Sequence, residues 1–211
     1  MGMVCGLHRA SDQDISRLIQ HPEGLRHFLE PDNPYAPQVE VVRPKGLLGL
    51  VLRLLPITIE QVKPLEGVSP DEMLAQMQAN DQEIALDKAW HGLHYLFTGS
   101  AWEGGEPACF LVRGGEAVGD EEYGFGLVRA FRAEQTRQIA AFLASLSRAE
   151  LTRRFDPARM TTLEIYPDVI WTRTNEDNDH PLEYLLNAFD DLRTFVGKTA
   201  AEGDGLLVDL T

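Results

Sequence analysis

The chain is poor in positive charge, in cysteine and in long apolar runs, and each shortage removes a class of function. Only 19 Lys and Arg stand against 33 Asp and Glu in 211 residues, a net charge of −14. Such an acidic surface repels phosphate backbones, and no run of basic residues overrides the field. Neither nucleic acid nor an anionic membrane is therefore expected as a partner. The two cysteines, Cys5 and Cys109, each lie in an apolar run. They make neither a disulfide framework nor a CxxC metal knuckle, so buried, reduced thiols are expected. The first residues, Met1 to Gly6, lack a basic segment followed by a long apolar one, which points to a cytoplasmic location. Gly46 to Ile59 is the most lipid-like stretch, but it is too short for a bilayer and contains Arg53 and Pro56. The chain also has no G-x-S-x-G elbow, dinucleotide fingerprint, P-loop or EF-hand spacing. Gly114-Gly115 and Gly124-Phe125-Gly126 read as turns, and Asp120-Glu121-Glu122 as a solvated surface.

What remains is an ordinary apolar and charged content, with 44% hydrophobic residues, and no repeat or composition shift. This predicts one compact domain over 1–211, interrupted by a Pro-rich, irregular excursion at about 31–68. The leucines of 46–59 could form a buried turn or a flap, and dimerisation through them is an alternative to a monomer. Met3 to Ala10 reads as a strand. Ser11 with Asp14 opens a short helix, and His21-Pro22-Glu23 restarts it. Ser69-Pro70-Asp71-Glu72 starts another helix, and Asp81 to Phe97 is expected as a second, stopped at Gly99. Ala108 to Arg113 and Gly126 to Phe131 read as strands, Ala133 to Leu146 as an amphipathic helix, and Ser147 and Asp156 as caps of two short ones. Leu163 to Trp171 contains Pro167 and reads as an edge or loop. Asn175 to Asp179 is a solvated turn. Pro181 to Val196 forms a long helix, and Leu206 to Leu210 a closing strand.

Several blocks resemble the YfbM-like proteins, a bacterial family of unknown function. The most specific is Asp87-Lys88-Ala89-Trp90-His91-Gly92-Leu93-His94-Tyr95-Leu96-Phe97-Thr98-Gly99. Met1-Gly2-Met3, Tyr123-Gly124 followed by Arg129, Phe155 to Met160, Ile165-Tyr166-Pro167, and Tyr184-Leu185-Leu186 with Leu192-Arg193 follow in order. The Pro31 to Pro64 segment has no match. The resemblance implies an α/β (mixed α+β) domain with helices on both faces of a mixed sheet. It implies no activity and carries over no catalytic residue.

One polar constellation stands out. On the expected helix Asp87, His91 and His94 are spaced i, i+4, i+7, a stripe that could present three ligands to zinc or another divalent metal. The spacing is weaker than H-E-x-x-H and no fourth ligand can be assigned. The competing reading makes the two histidines hydrogen-bonded scaffold at the edge of the apolar face, beside Trp90. A wider pocket would add Tyr123, Arg129, Tyr166 and Trp171, with Arg129 either holding an anion or making a structural salt bridge. Trp102 either marks a binding loop or tucks onto the core.

Two functions follow as expectations. The first is a non-catalytic protein, without cofactor, whose acidic surface recognises a basic protein, as an immunity-type protein that neutralises a basic toxin would. The alternative is an enzyme or small-molecule-binding domain using Asp87, His91 and His94.

Overall fold

A computed structural model of the chain describes residues 2–30, 40–41, 60–61, 82–173 and 180–211. Strand β1 (Cys5–Ala10) opens it and leads through Ser11 into helix α1 (Asp12–Gln20). The Ser11 Oγ accepts the Asp14 amide at 3.1 Å and donates to the Asp14 carboxylate at 2.6 Å, so the expected cap forms. A 3-10 turn at Pro22–Gly24 restarts the chain into α2 (Leu25–Leu29), again as the proline predicts. The short strands β2 (Glu40–Val41) and β3 (Glu60–Gln61) pair antiparallel. The readings of the 46–59 segment, of the rest of the 31–68 excursion, of the Ser69 helix start and of the 175–179 turn lie outside the described residues.

The next stretch departs from expectation. The predicted helix over Asp81–Phe97 is instead strand β4 (Glu83–Ala85), a turn, and helix α3 (Ala89–Thr98). Leu86, Ala89, Trp90, Leu93, Leu96 and Phe97 fit one apolar helical face in sequence. The backbone, however, breaks at Asp87, which takes the left-handed φ of 43°. The C-terminal stop is where the sequence places it, with Gly99 at φ 74° and its amide on the Tyr95 carbonyl at 2.7 Å. Ala108–Arg113 is not a strand either. Its amides turn back on themselves, Phe110 to the Pro107 carbonyl and Val112 and Arg113 to that of Cys109, so its apolar side chains are buried from consecutive turns.

Strands β5 (Glu116–Ala117) and β6 (Arg129–Phe131) follow, then α4 (Ala133–Ser145), α5 (Arg148–Arg154), α6 (Pro157–Thr162), α7 (Pro181–Glu202) and β7 (Gly205–Leu210). Ser147 and Asp156 cap α5 and α6 through the Glu150 and Arg159 amides at 3.2 and 3.0 Å. The stretch 163–171 is a series of turns with no strand, as Pro167 requires.

By contact the chain divides into two compact units, Met1–Leu25 with Gln76–Thr211, and Arg26–Ala75. The first unit holds a five-stranded sheet in the order β4-β1-β7-β6-β5. Its ladders run antiparallel, and Gly124 makes an isolated parallel bridge to Leu210. The almost continuous apolar run Gly-Leu-Leu-Val-Asp-Leu suits the central strand, and β7 is buried along nearly its whole length. Leu7, Leu206, Val208 and Phe131 face one side and join a core with α3, α4 and α7. Ala10, Leu207 and Asp209 face the other side, where Ile15 of α1 packs so closely on Gly205 that a Cβ there would meet its Cδ1 at 2.6 Å. The architecture is thus an α/β fold with helices against both faces of the sheet, as expected.

Candidate functional site

Helix α3 is apolar nearly all round and runs through the middle of the first unit, with every residue from Ala89 to Phe97 buried. Gly92 is what lets it sit there. A Cβ at that position would meet Leu185 Cδ2 and the Trp171 ring, each at 2.7 Å, so the glycine sets the closest approach of α3 to α7. Trp171, from the expected pocket, closes this contact from the side, and its indole N–H donates to the Ile165 carbonyl at 2.6 Å.

The expected three-residue stripe does not form, because α3 begins two residues after Asp87. Asp87 turns toward α7, where it accepts the Tyr184 hydroxyl at 3.0 Å, and the same hydroxyl accepts the Lys88 amide at 3.1 Å. His91 is fully engaged by the protein. Its Nε2 donates to the Ala101 carbonyl at 2.7 Å, and its Nδ1 accepts the Tyr166 amide at 2.9 Å, which fixes the tautomer. Burial lowers its pKa against the pull of the Ala101 carbonyl, so the ring is neutral. Trp90 stacks on it at 4.8 Å, and the half-exposed Trp102 covers it at 4.4 Å. A metal would have to displace one of these hydrogen bonds. Among the described residues no group of three His, Cys, Asp or Glu is arranged to hold a metal ion.

His94 differs from its neighbour. It is completely buried, and neither ring nitrogen has a hydrogen-bond partner. Burial, then His91 and the guanidinium groups of Arg113 and Arg129, push its pKa down to about 4, although the nearby Glu103 backbone acts in the opposite sense. A neutral imidazole at this place is a polar group held by packing alone.

The remaining pocket residues separate into three places. Trp90 and Tyr166 stay with His91. The Trp90 indole donates to the Met3 carbonyl at 3.4 Å, and the Tyr166 hydroxyl accepts the Met3 amide at 3.0 Å. A Cβ on Gly2 would meet that hydroxyl at 2.5 Å, which accounts for a small residue in Met1-Gly2-Met3. Arg129 makes no ion pair among the described residues. Its two terminal nitrogens donate to the carbonyls of Phe110 and Leu111 at 2.7 and 2.8 Å and hold the 107–113 turn under β6. Tyr123 sits in a separate loop, its amide on the Gly126 carbonyl at 2.8 Å.

That loop is the feature with the clearest outward aim. Gly119, at φ 74°, rests on Pro22. Gly124, at φ 71°, lies against the Leu210 carbonyl, and the Phe125 amide bonds the same oxygen at 2.7 Å. Between and beyond these anchors stand the exposed carboxylates Asp120, Glu121 and Glu122 and the exposed Phe125 and Leu127. None of the three carboxylates is paired among the described residues, whereas arginines elsewhere are engaged, Arg9 with Glu202 and Asp204, and Arg148 with Glu183 and Asp190.

Sequence reasoning missed a charged cluster on the other face of the sheet. His8 Nε2 lies 2.9 Å from the Asp209 carboxylate and Nδ1 3.3 Å from that of Glu83. Burial disfavours the charged ring, but hydrogen bonds to Asp209 and Glu83 outweigh it and push its pKa up to about 9. Gly6 leaves room for the cluster, since a Cβ there would meet Asp209 Oδ1 at 2.5 Å.

Comparison with known proteins places this geometry. A solved structure described as a protein of unknown function, YfbM from Escherichia coli, is similar with a TM-score of 0.60, covering 99% of each chain at 15% identity, which speaks to fold alone. No curated protein matches the chain. No helix among the described residues is long and apolar enough to cross a membrane. A family model described as a domain of unknown function, DUF1877, matches residues 1–208, and the chain belongs to that family.

Proposed function

We propose that the protein is a non-catalytic binding protein whose acidic loop at 119–127 docks a basic protein partner. The observation that carries this reading is the loop itself. Three carboxylates without an ion-pair partner among the described residues stand beside exposed Phe125 and Leu127, on a backbone held to Pro22 at one end and to β7 at the other. A rigid loop loses little freedom on binding, apolar side chains supply buried area, and unpaired charge speeds the encounter with an oppositely charged surface. The net charge of −14 extends that attraction over the whole molecule. Neutralisation of a basic toxin by an immunity-type protein is one function of this physical kind, and a cytoplasmic setting is consistent with it.

The test is a library of peptides rich in Lys and Arg, with and without interspersed apolar residues. They are presented to the wild-type chain and to a variant carrying Glu121→Lys, Glu122→Lys and Phe125→Ser. Retention of basic and apolar peptides by the wild type alone is expected. Equal retention by the variant would place the binding elsewhere, and no preference for basic peptides would end the proposal.

A further inference from the structure

We propose that the cleft beside the C-terminal turn of α3 binds a small phosphate monoester that carries hydroxyl groups. The cleft has a volume of about 470 Å³, of the size that small-molecule sites occupy. Its walls include Arg153, Arg154 and Arg159, which stand on either side of the Phe155-Asp156-Pro157 corner between α5 and α6. Three guanidinium groups around one cleft form a local basic centre in a protein of net charge −14.

The three are not equivalent. Arg154 is braced, donating to the Leu96 carbonyl at 3.0 Å and to Glu150 at 2.5 Å, and serves as a fixed wall. Arg153 and Arg159 are exposed and have no ion-pair partner among the described residues. Unpaired planar guanidinium groups that share a cleft match the oxygens of a phosphate group better than a single carboxylate, which one arginine would satisfy.

The other polar groups define the rest of the ligand. Asp156 lines the cleft and uses one oxygen to accept the Arg159 amide at 3.0 Å, so its second oxygen is left to repel a second anionic group and to accept from hydroxyls. Tyr95 lines the same cleft, its phenol in electrostatic reach of both Asp156 and Arg159 and without a hydrogen bond among the described residues. The overall negative field opposes polyanions such as nucleic acid far more than a ligand with a single phosphate group. This site lies apart from the 119–127 loop in sequence and does not depend on the binding function proposed for it.

The experiment is calorimetric titration of the full chain with glycerol 3-phosphate and with inorganic phosphate, at one fixed ionic strength. Wild type is expected to bind both, glycerol 3-phosphate more tightly. The Arg153→Ala/Arg159→Ala double variant should lose about tenfold or more in affinity for each, and Arg159→Gln alone should lose less. Both side chains are exposed, so the double variant should melt as the wild type does without ligand. Asp156→Asn keeps the helix cap and should erase the preference for glycerol 3-phosphate. No heat with either phosphate, or undiminished binding by the double variant, would overturn the site. Equal affinity of the wild type for the two phosphates would overturn the hydroxyl recognition.

Discussion

His8 and Asp209 meet across the β1 and β7 pairing with Nε2 2.9 Å from Oδ1, and Glu83 on β4 holds the other nitrogen of the same ring. The ring is therefore an imidazolium between two carboxylates on three adjacent strands. Its pKa rises from 6.5 to about 9 on folding. A raised pKa contributes stability that is complete below the unfolded value of 6.5 and is lost as pH rises through 9, on the order of 3 kcal/mol. Denaturant titrations should show wild type weakening between these two pH values and His8→Gln showing little slope there. An unchanged slope in the variant would assign the dependence to another group.

His94 predicts the opposite limb. Its pKa falls from 6.5 to about 4 on folding, so its neutral form is favoured in the core. Below pH 6.5 the unfolded chain takes up a proton that the folded chain refuses, and stability drops until the pH reaches the folded pKa. His94→Leu should remove that acid limb. At pH 7 it should match or exceed the wild type by about 1 kcal/mol, because two unsatisfied buried nitrogens are replaced by an apolar group of similar size. A loss of stability at pH 7 would mean that the ring nitrogens are satisfied by an ordered water.

Gly92 and Gly197 offer a paired test of packing. Gly92→Ala gains about 1 kcal/mol in helix propensity but forces a methyl group against Leu185 and Trp171, an overpacking of about 1–3 kcal/mol. Gly197→Ala in α7 meets nothing within 4 Å and keeps the propensity gain. Urea midpoints should move down for the first and up for the second. A rise for both would show that α3 and α7 have room to separate.

His91 predicts the response to metal. Both of its nitrogens serve the backbone, and Asp87 serves Tyr184, so zinc gains no ready-made site from them. Elemental analysis of tag-free protein should find metal well below one equivalent, with the same result for the Asp87→Ala/His91→Ala double substitution. Stoichiometric metal that disappears in the double variant would restore these residues as ligands.

The parts of this fold that were legible in the sequence are those decided locally. Ser11, Ser147 and Asp156 cap helices because a short polar side chain three residues before an amide has one good partner. Gly99 ends α3 for a similar local reason. The errors came where tertiary pairing decides. Glu83–Ala85 runs directly into an apolar helical face that starts at Leu86, and its pairing with β1 makes it a strand. Arg129 looked available for an anion because nothing in the chain order places the Phe110 and Leu111 carbonyls beneath it. His8 and Asp209 are 201 positions apart, and only the β1 and β7 register joins them. Arg153 and Arg159 form no run of charge in the sequence, because two short helices and a turn bring them to one cleft in space.

The binding reading is tested most directly by salt. The tightest-binding basic peptide would be titrated against wild type and the Glu121→Lys, Glu122→Lys, Phe125→Ser variant at ionic strengths from about 50 to about 300 mM, where screening between exposed charges shortens to below about 10 Å. Wild-type affinity should fall steeply over this range, by about tenfold or more, while the variant binds weakly throughout with little salt dependence. A wild-type affinity that stays flat across the range would contradict an acidic loop docking a basic partner.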